Sequence, residues 1–218
     1  MPSNDIRVKI CGIGSVDAAI VASDAGANYL GFNFVEGVRR QIQPEDGIQI
    51  IADYRSGRKT LNRPGLVGLF RNQDPMFANE TARNAGLDYL QLCGDEDADY
   101  MSQIELPIFK MVRAKDGSTP SSLNHTISPL LDAGHGIILD RYDKDTPGGS
   151  GLTFDWTSAV GVASRENVLL AGGLKPENVQ NAIRQLSPWG VDVASGVETD
   201  GVKDPDRIRA FIEAARNA

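Results

Sequence analysis

The sequence predicts an α/β protein in which eight parallel strands, each followed by a helix, close into one (β/α)₈ barrel. Short apolar runs recur at intervals of roughly 20 to 30 residues, with helical patterns between them. The 218 residues suit a single domain, 1–218, slightly shorter than the usual barrel of this kind. Strict alternation of strand and helix over that length favours a closed barrel over an open doubly wound sheet.

The apolar runs give the eight predicted strands. They are Val8–Cys11, Tyr29–Phe34, Leu66–Phe70, Tyr89–Leu92, Ile108–Val112, Gly136–Leu139, Val168–Ala171 and Gly190–Val193. Each run is short and apolar, as expected of parallel strands that are buried on both faces. The basic polar stretch Gly57–Arg63 precedes the third strand, and we expect it to form a loop at the bottom of the barrel.

Eight segments between and after these strands can carry amphipathic helices. They are Val16–Asp24, Pro44–Tyr54, Pro75–Ala85, Asp95–Ser102, Pro120–Leu131, Trp156–Ala163, Pro176–Leu186 and Asp204–Ala215. Ser15 stands at an N-cap position, and Pro44 and Pro75 stand in first turns, where proline is tolerated. Gly26 and Gly86 follow the first and third helices, where glycine commonly ends a helix.

The bulk composition limits the classes of partner. With 41% hydrophobic and 23% charged residues, the chain has the composition of an ordinary globular protein. A net charge of −7 disfavours nucleic acids and anionic membranes as partners.

No apolar stretch approaches the roughly 18 residues of a membrane span, and the N-terminus shows no signal pattern, so we expect a cytoplasmic protein. The two cysteines are too few for a disulfide framework, and no His/Cys cluster has metal-ligand spacing. We therefore predict no metal site.

Three glycine-rich turns stand in the last third of the chain. They are Gly148-Gly149-Ser150-Gly151, Gly172-Gly173 and Ser195-Gly196, and the last two directly follow predicted strands. Glycine lets backbone N–H groups approach an anion without a Cβ in the way. A (β/α)₈ barrel frequently binds phosphate between its last two loops. These turns therefore predict a phosphorylated small molecule as the ligand.

In such a barrel, the chemistry lies at the carboxyl ends of the strands. The polar or special residues at these ends are Cys11, Arg39 and Arg40, Arg71 and Asn72, Cys93, Arg113, Asp140, Gly172 and Gly173, and Ser195 and Gly196. His125 falls in a predicted helix and His135 precedes the sixth strand, so neither histidine is a good catalytic candidate. The functional residues are expected among the strand ends instead.

Cys11 has two interpretations, a small buried hydrophobe or a thiolate that acts as a general base. The second requires nearby positive charge. We expect Lys9 to supply little of it, because its side chain points the same way from the strand but lies deeper in the barrel.

Three charged residues also stand near strand ends. Asp140 ends an apolar run, and it is either a proton donor with a raised pKa or a loop cap beside Arg141. Arg40 can bind a carboxylate through two parallel hydrogen bonds. Asp192 lies within the last strand and either points into the barrel mouth or pairs with a neighbour.

Taken in order, the motifs resemble the phosphoribosylanthranilate isomerases of tryptophan biosynthesis, which are TIM barrels. The segments that carry the resemblance are Lys9-Ile10-Cys11-Gly12, Gly26–Phe32, Val67–Phe70, Leu90-Gln91-Leu92, Leu139-Asp140, Gly148–Gly151 with Phe154-Asp155-Trp156, Ala171–Val179, Gly190–Glu198 and Lys203-Asp204. They run nearly from end to end of the chain.

The resemblance implies an Amadori rearrangement without cofactor or metal, in which an aminoaldose becomes an aminoketose. Asp140 matches the family's general acid, which protonates the furanose ring oxygen, and Cys11 matches its general base, which removes the C2 proton. Arg40 matches the arginine that meets the anthranilate carboxylate, with Arg39 the next candidate for that role. The residues that match the phosphate region are Gly149, Gly172, Gly173, Ser195 and Gly196. Asp192 and Cys93 are expected to lie near the substrate.

The chain departs from the family pattern at three places. Val38-Arg39-Arg40 stands where the second-strand loop usually reads Ser-Pro-Arg, so the hydroxyl and the rigid proline are absent. Cys93 stands where the fourth strand usually ends in histidine, and Gly14 stands where a threonine is usual.

These differences leave room for an isomerase of a related aryl-aminoaldose phosphate. A non-catalytic phosphosugar-binding barrel is a further alternative, which the presence of both Cys11 and Asp140 disfavours. We expect a phosphosugar as the partner, with the chain as a monomer or homodimer.

Overall fold

Eight parallel strands form a closed barrel in sequence order, as the alternation predicts. The computed structural model describes residues 6–56, 63–115, 117–141 and 156–218. The strands are β1 (Arg7–Cys11), β2 (Tyr29–Asn33), β3 (Gly65–Phe70), β4 (Tyr89–Leu92), β5 (Ile108–Ala114), β6 (Gly136–Arg141), β7 (Val168–Leu170) and β8 (Gly190–Val193). β1 pairs with β8 through Lys9 and Asp192, and this pairing closes the barrel. All eight predicted strands are present.

In the part of the chain that the structure describes, seven α-helices lie between and after these strands. They are α1 (Val16–Asp24), α2 (Pro44–Ser56), α3 (Pro75–Ala85), α4 (Ala98–Met101), α5 (Pro120–Asp132), α6 (Val179–Leu186) and α7 (Pro205–Arg216). The Ser15 side chain accepts a hydrogen bond from the Ala18 N–H at the start of α1, and Gly86 ends α3 with a left-handed φ of 66°. The predicted cap residues therefore fulfil their expected roles.

Three predicted helices differ from the structure. The helix predicted over Pro176–Leu186 begins only at Val179, after a turn over residues 176–178. The segment predicted as a helix over Trp156–Ala163 forms only a 3₁₀ helix at Trp156–Ala159, and Gly161 follows with a φ of 72°, which an α-helix does not accommodate. The helix predicted over Asp95–Ser102 begins only at Ala98, because the Asp97 carboxylate caps it by accepting from the Tyr100 N–H.

Alternation along each strand sends side chains to two separate apolar regions. Val8 and Ile10 of β1 face outward into the main core between the strands and the helices. The other face lines the interior of the barrel. The interior cluster consists of Cys11, Val35, Val67, Leu69, Cys93, Phe109, Ile138, Leu169 and Ala171. The carboxyl end of this interior is where the predicted site residues collect.

A two-stranded antiparallel hairpin, which the sequence did not predict, follows the last barrel strand. A 3₁₀ helix at Ser195–Val197 leads into β9 (Glu198–Thr199), which pairs with β10 (Val202–Lys203). The hairpin places Glu198 and Lys203 opposite each other, next to the barrel mouth. No helix in the described ranges is long and apolar enough to cross a membrane.

Candidate active site

Lys9, Cys11 and Asp192 form a cluster where β1 meets β8. The Lys9 Nζ donates to the Asp192 Oδ1 at 2.9 Å, and Lys9 is fully buried. The Lys9 ammonium also lies close enough to the Cys11 thiol to lower its pKa. Burial alone would lower the pKa of Lys9, but Asp192 and Cys11 outweigh it and raise that pKa, so the side chain remains a cation.

The sequence-based expectation for Lys9 was therefore wrong. Lys9 and Cys11 lie two residues apart on the interior face of β1, and the long lysine side chain reaches upward to the thiol. Of the two alternatives for Asp192, the structure shows the second. Asp192 pairs with a neighbour, Lys9, across the β1–β8 junction.

Opposing effects act on the Cys11 thiol. Burial raises its pKa above the ordinary value of 9.0, and the Asp192 carboxylate raises it further. Lys9 and Lys203 both lower it, but burial has the largest effect. The thiol therefore rests in its protonated form, with two cations placed to stabilise the thiolate when it forms.

Asp140 lies on the interior face of β6, near its carboxyl end. Ile138, two residues earlier, belongs to the interior cluster, and side chains two apart on a strand share a face. Asp140 pairs in register with Arg113 of β5 and is half-buried. Two strands, β7 and β8, separate β6 from β1 on one side of the barrel. Cys11 and Asp140 thus approach the mouth from different sides.

Arg40 packs against Gly12, the residue after Cys11, and its guanidinium binds Glu198. Its Nε donates to the Glu198 Oε1 at 2.6 Å, and its Nη2 donates to the Oε2 at 3.0 Å. A Cβ on Gly12 would lie 2.6 Å from the Arg40 Cδ, and Gly12 has a φ of 75°. Only glycine is well suited to this position, because it accepts that φ and leaves room for the arginine stem.

Cys93 is buried at the end of β4, and burial raises the pKa of its thiol to about 12. The Gln91 Nε2 donates to the Cys93 Sγ at 3.4 Å, while the Gln91 Oε1 is buried without a hydrogen-bond partner among the described residues. The Arg113 Nη2 donates to the Cys93 carbonyl oxygen at 3.0 Å. Cys93 is therefore part of the interior wall near Cys11.

The turns after β7 and β8 are packed against each other. Gly172 and Gly173 adopt φ values of 90° and 70°. A Cβ on Gly196 would collide with the Leu174 carbonyl oxygen, so this contact between the two turns requires glycine. Ser195 begins the adjoining 3₁₀ helix. The fifth predicted phosphate residue, Gly149, lies outside the described residues, as does the rest of Gly148–Gly151.

The Asn178 side chain supports the first of these turns. Its Nδ2 donates to the Gly173 carbonyl oxygen at 3.0 Å, and its Oδ1 accepts from the Lys175 N–H at 2.8 Å. The backbone N–H groups of Gly172 and Gly173 make no hydrogen bond within the described ranges. Such donors, grouped in a glycine turn, suit a phosphate. The described ranges contain no group of three His, Cys, Asp or Glu side chains that could hold a metal ion.

Residues 8–214 match the family model described as N-(5'-phosphoribosyl)anthranilate (PRA) isomerase. The chain belongs to this family. The isomerase of Dehalococcoides mccartyi is 40% identical over 217 residues, which cover 98% of this chain and 97% of that protein. The isomerase of Geobacter sulfurreducens is 41% identical over 212 residues, which cover 97% and 98% of the two chains. The resemblance found in the sequence is thereby confirmed.

Solved structures of isomerases share the fold. The phosphoribosyl anthranilate isomerase from Thermotoga maritima has a TM-score of 0.83 at 32% identity, with 98% of this chain and 100% of that chain covered. A second isomerase structure, with reduced 1-(o-carboxyphenylamino)-1-deoxyribulose 5-phosphate bound, has a TM-score of 0.79 at 31% identity over the same shares of the two chains. A further structure shows monomers generated from the dimeric phosphoribosylanthranilate isomerase of Thermotoga maritima.

Sequence reasoning missed two charged residues of the site, Glu198 and Lys203. The Lys203 Nζ donates to the Glu198 Oε1 and to the Ala194 carbonyl oxygen, both at 2.7 Å. Both residues stand in segments that resemble the isomerase family, but no local pattern marks a role for them. Only the β9–β10 hairpin brings them together beside Arg40 and Cys11.

Proposed function

We propose that the protein isomerises N-(5'-phosphoribosyl)anthranilate to 1-(2-carboxyphenylamino)-1-deoxyribulose 5-phosphate, with Asp140 as general acid and Cys11 as general base. The observation that carries the proposal is the placing of these two groups on the interior faces of β6 and β1, with Lys9 and Lys203 beside the thiol. Proton relocation in a sugar needs an acid and a base on different sides of the substrate. Residues 1–218 would act as a single domain.

The first step opens the sugar ring. Asp140 donates a proton to the furanose ring oxygen, and the C1–O bond breaks as the nitrogen lone pair forms a protonated Schiff base. Asp140 becomes a carboxylate. Its half-buried position at the mouth allows it to meet the substrate and to exchange its proton.

The second step moves the C2 proton. The Cys11 thiolate removes it, and the electron pair of the C–H bond neutralises the Schiff base to give an enolamine. The enolamine then gains a proton at C1 and loses one from the C2 hydroxyl, which gives the ketone and restores both groups. The charges of Lys9 and Lys203 favour the thiolate on which this step depends.

The two ends of the substrate would bind on either side of this pair. The turns that contain Gly172, Gly173, Ser195 and Gly196 would hold the phosphate through backbone N–H groups. Arg40, beside Gly12, would bind the anthranilate carboxylate. The interior wall that includes Cys93 would face the substrate. Two further expectations stay predictions: that the protein is a monomer or homodimer, and that it is cytoplasmic.

Turnover of freshly generated phosphoribosylanthranilate, followed by the loss of anthranilate-type fluorescence, tests this function. We expect Asp140→Asn and Cys11→Ala to lower kcat by about 10²- to 10⁴-fold, while binding of a phosphosugar analogue persists. Asp132→Asn, at the exposed end of α5, is the matched control and should turn over at the wild-type rate.

Near-full activity in both variants would show that the roles are assigned wrongly. A folded wild-type protein that binds the phosphosugar analogue but does not turn over this substrate would contradict the proposed substrate. That result would favour a related aryl-aminoaldose phosphate.

A further inference from the structure

The Glu198 carboxylate is the common partner of three cations at the barrel mouth. Its oxygens accept from Arg40 Nε and Nη2, from Arg39 Nη2 at 2.6 Å and from Lys203 Nζ at 2.7 Å. The Glu198 side chain is only 5% exposed. Burial would raise its pKa, but the hydrogen bonds from Arg40, Lys203 and Arg39 hold that pKa at about 2. Glu198 is therefore an anion at every pH at which the protein works.

The contact with Glu198 uses one edge of the Arg40 guanidinium. A guanidinium has five N–H donors, one on Nε and two on each terminal nitrogen. Glu198 engages the edge formed by Nε and Nη2, and Arg40 has no other acceptor among the described residues. The edge formed by Nη1 and Nη2 keeps its donors, in the geometry that binds a carboxylate through two parallel hydrogen bonds.

One further contact holds the Arg40 stem, and another holds its partner Glu198. Its stem packs on Gly12, which directly follows Cys11. Lys203 binds the same Glu198 oxygen as the Arg40 Nε and also binds the carbonyl oxygen of Ala194, the residue before the Ser195–Gly196 turn. Glu198 thereby connects the loop after β2 to the turn after β8.

We propose that Glu198 is a positioning residue, which holds Arg40 by one edge so that the other edge receives the carboxylate of the substrate. The inference rests on the proposed function. Three cations and one anion leave a local charge of about +2 in a chain whose net charge is −7, which attracts an anionic substrate to this side of the mouth. Glu198 keeps its partners when the substrate binds and does not compete with it.

The dissociation constants of two product analogues test this role. One is the reduced product, whose ring carries a carboxylate, and the other has the same structure without that group. The wild type should prefer the carboxylated analogue, and Glu198→Gln should reduce the preference about tenfold. The same variant should raise KM by a similar factor and change kcat less than threefold, because the acid and the base remain in place. Glu198→Asp should restore part of the preference.

Asp88→Asn is the matched control. Asp88 forms a two-bond pair with Arg63 at the opposite end of the barrel, at 2.6 and 2.7 Å, so it reports the general effect of losing an arginine–carboxylate pair. The Asp88→Asn variant should prefer the carboxylated analogue as strongly as the wild type does. The proposal would be overturned if the Glu198→Gln variant kept the wild-type preference for the carboxylated analogue. It would also be overturned if the kcat of this variant fell while its KM stayed unchanged.

The wild-type protein supplies a test that does not depend on the folding of a variant. The Nε–H resonance of Arg40, assigned by its loss in Arg40→Lys, should stay protected from exchange when the carboxylated analogue is bound. Release of that proton to solvent on binding would mean that the ligand displaces Glu198, and the positioning role would be wrong. Both tests use binding, so they remain decisive even if the wild type fails to turn over the proposed substrate.

Discussion

At the scale of single residues, the site depends on charges that burial makes effective. Lys9 is fully buried, donates to the Asp192 carboxylate and lowers the pKa of the nearby Cys11 thiol. Charges interact more strongly in such a poorly solvated environment than at the surface. The proton affinity of the thiol therefore reflects a balance between burial and Asp192 on one side and the two lysines on the other.

This balance predicts a pH dependence. Because Cys11, the proposed base, would act as a thiolate and its pKa is raised above 9.0, we expect kcat/KM to rise with pH throughout the neutral range. Lys9→Met removes a cation that lowers the pKa, so the rising limb should move to higher pH. Asp192→Asn removes an anion that raises it, so the limb should move to lower pH. The measurement is the pH profile of kcat/KM.

Lys110→Met is the control for these two variants. Lys110 forms another buried ion pair, with Glu96 at 2.5 Å, but Lys110 is not among the groups with the largest effects on the Cys11 pKa. Its pH profile should match that of the wild type. Shifts of Lys9→Met and Asp192→Asn in the same direction would contradict the assigned electrostatics.

At the scale of the elements, the predicted strands were confirmed, whereas two predicted helices begin three residues late and one forms only a short 3₁₀ helix. The strand pattern is short and local, since each run needs only apolar side chains on both faces. The segment Trp156–Ala163 carries a plausible helical pattern, but Gly161 takes a left-handed conformation and the α-helix does not form. The β9–β10 hairpin has only two residues in each strand, too few to produce a recognisable alternation.

The packing of the last two barrel turns predicts the effect of Gly196→Ala. The added Cβ meets the Leu174 carbonyl oxygen, so the turn after β7 or the turn after β8 has to move. We expect KM for the phosphorylated substrate to rise at least about tenfold and phosphate-analogue binding to weaken, with a smaller change in kcat. Steady-state kinetics and analogue titration measure this.

Gly14→Ala, in the loop after β1, is the matched control because a Cβ there meets nothing within 4 Å. It should bind and turn over substrate as the wild type does. If the KM of the Gly196→Ala variant were unchanged, the turn after β8 would not be part of the phosphate site.

At the scale of the whole molecule, contacts between the two ends of the chain support barrel closure. Arg216, the last residue of α7, donates to the Ile6 carbonyl oxygen at 2.7 Å and to the Gly26 carbonyl oxygen and Asn28 Oδ1 at 3.0 Å. These bonds attach the C-terminal helix to the entrances of β1 and β2. They lie at the bottom of the barrel, away from the catalytic mouth.

Arg216→Ala should therefore affect stability and leave catalysis intact. Loss of hydrogen bonds to a charged group is expected to lower the free energy of unfolding by about 2 kcal/mol, with kcat and KM unchanged. Denaturant unfolding measures this. Arg209→Ala, on the same helix, is the control, because its partner Asp206 is 95% exposed and such pairs contribute at most about 1 kcal/mol. Equal stability losses in the two variants would contradict the role of Arg216.

The barrel and the family were predictable from the sequence, because they follow from local apolar runs and from motifs that keep their order along the chain. The sequence also indicated Cys11, Asp140 and the glycine turns, since strand ends in a parallel barrel meet at one face. The partnership of Lys9 with Cys11 and Asp192, and that of Glu198 with Arg40 and Lys203, were decided only by the tertiary structure. Lys9 and Asp192 are 183 positions apart in the chain, and no local pattern states which distant charges closure of the barrel brings into contact.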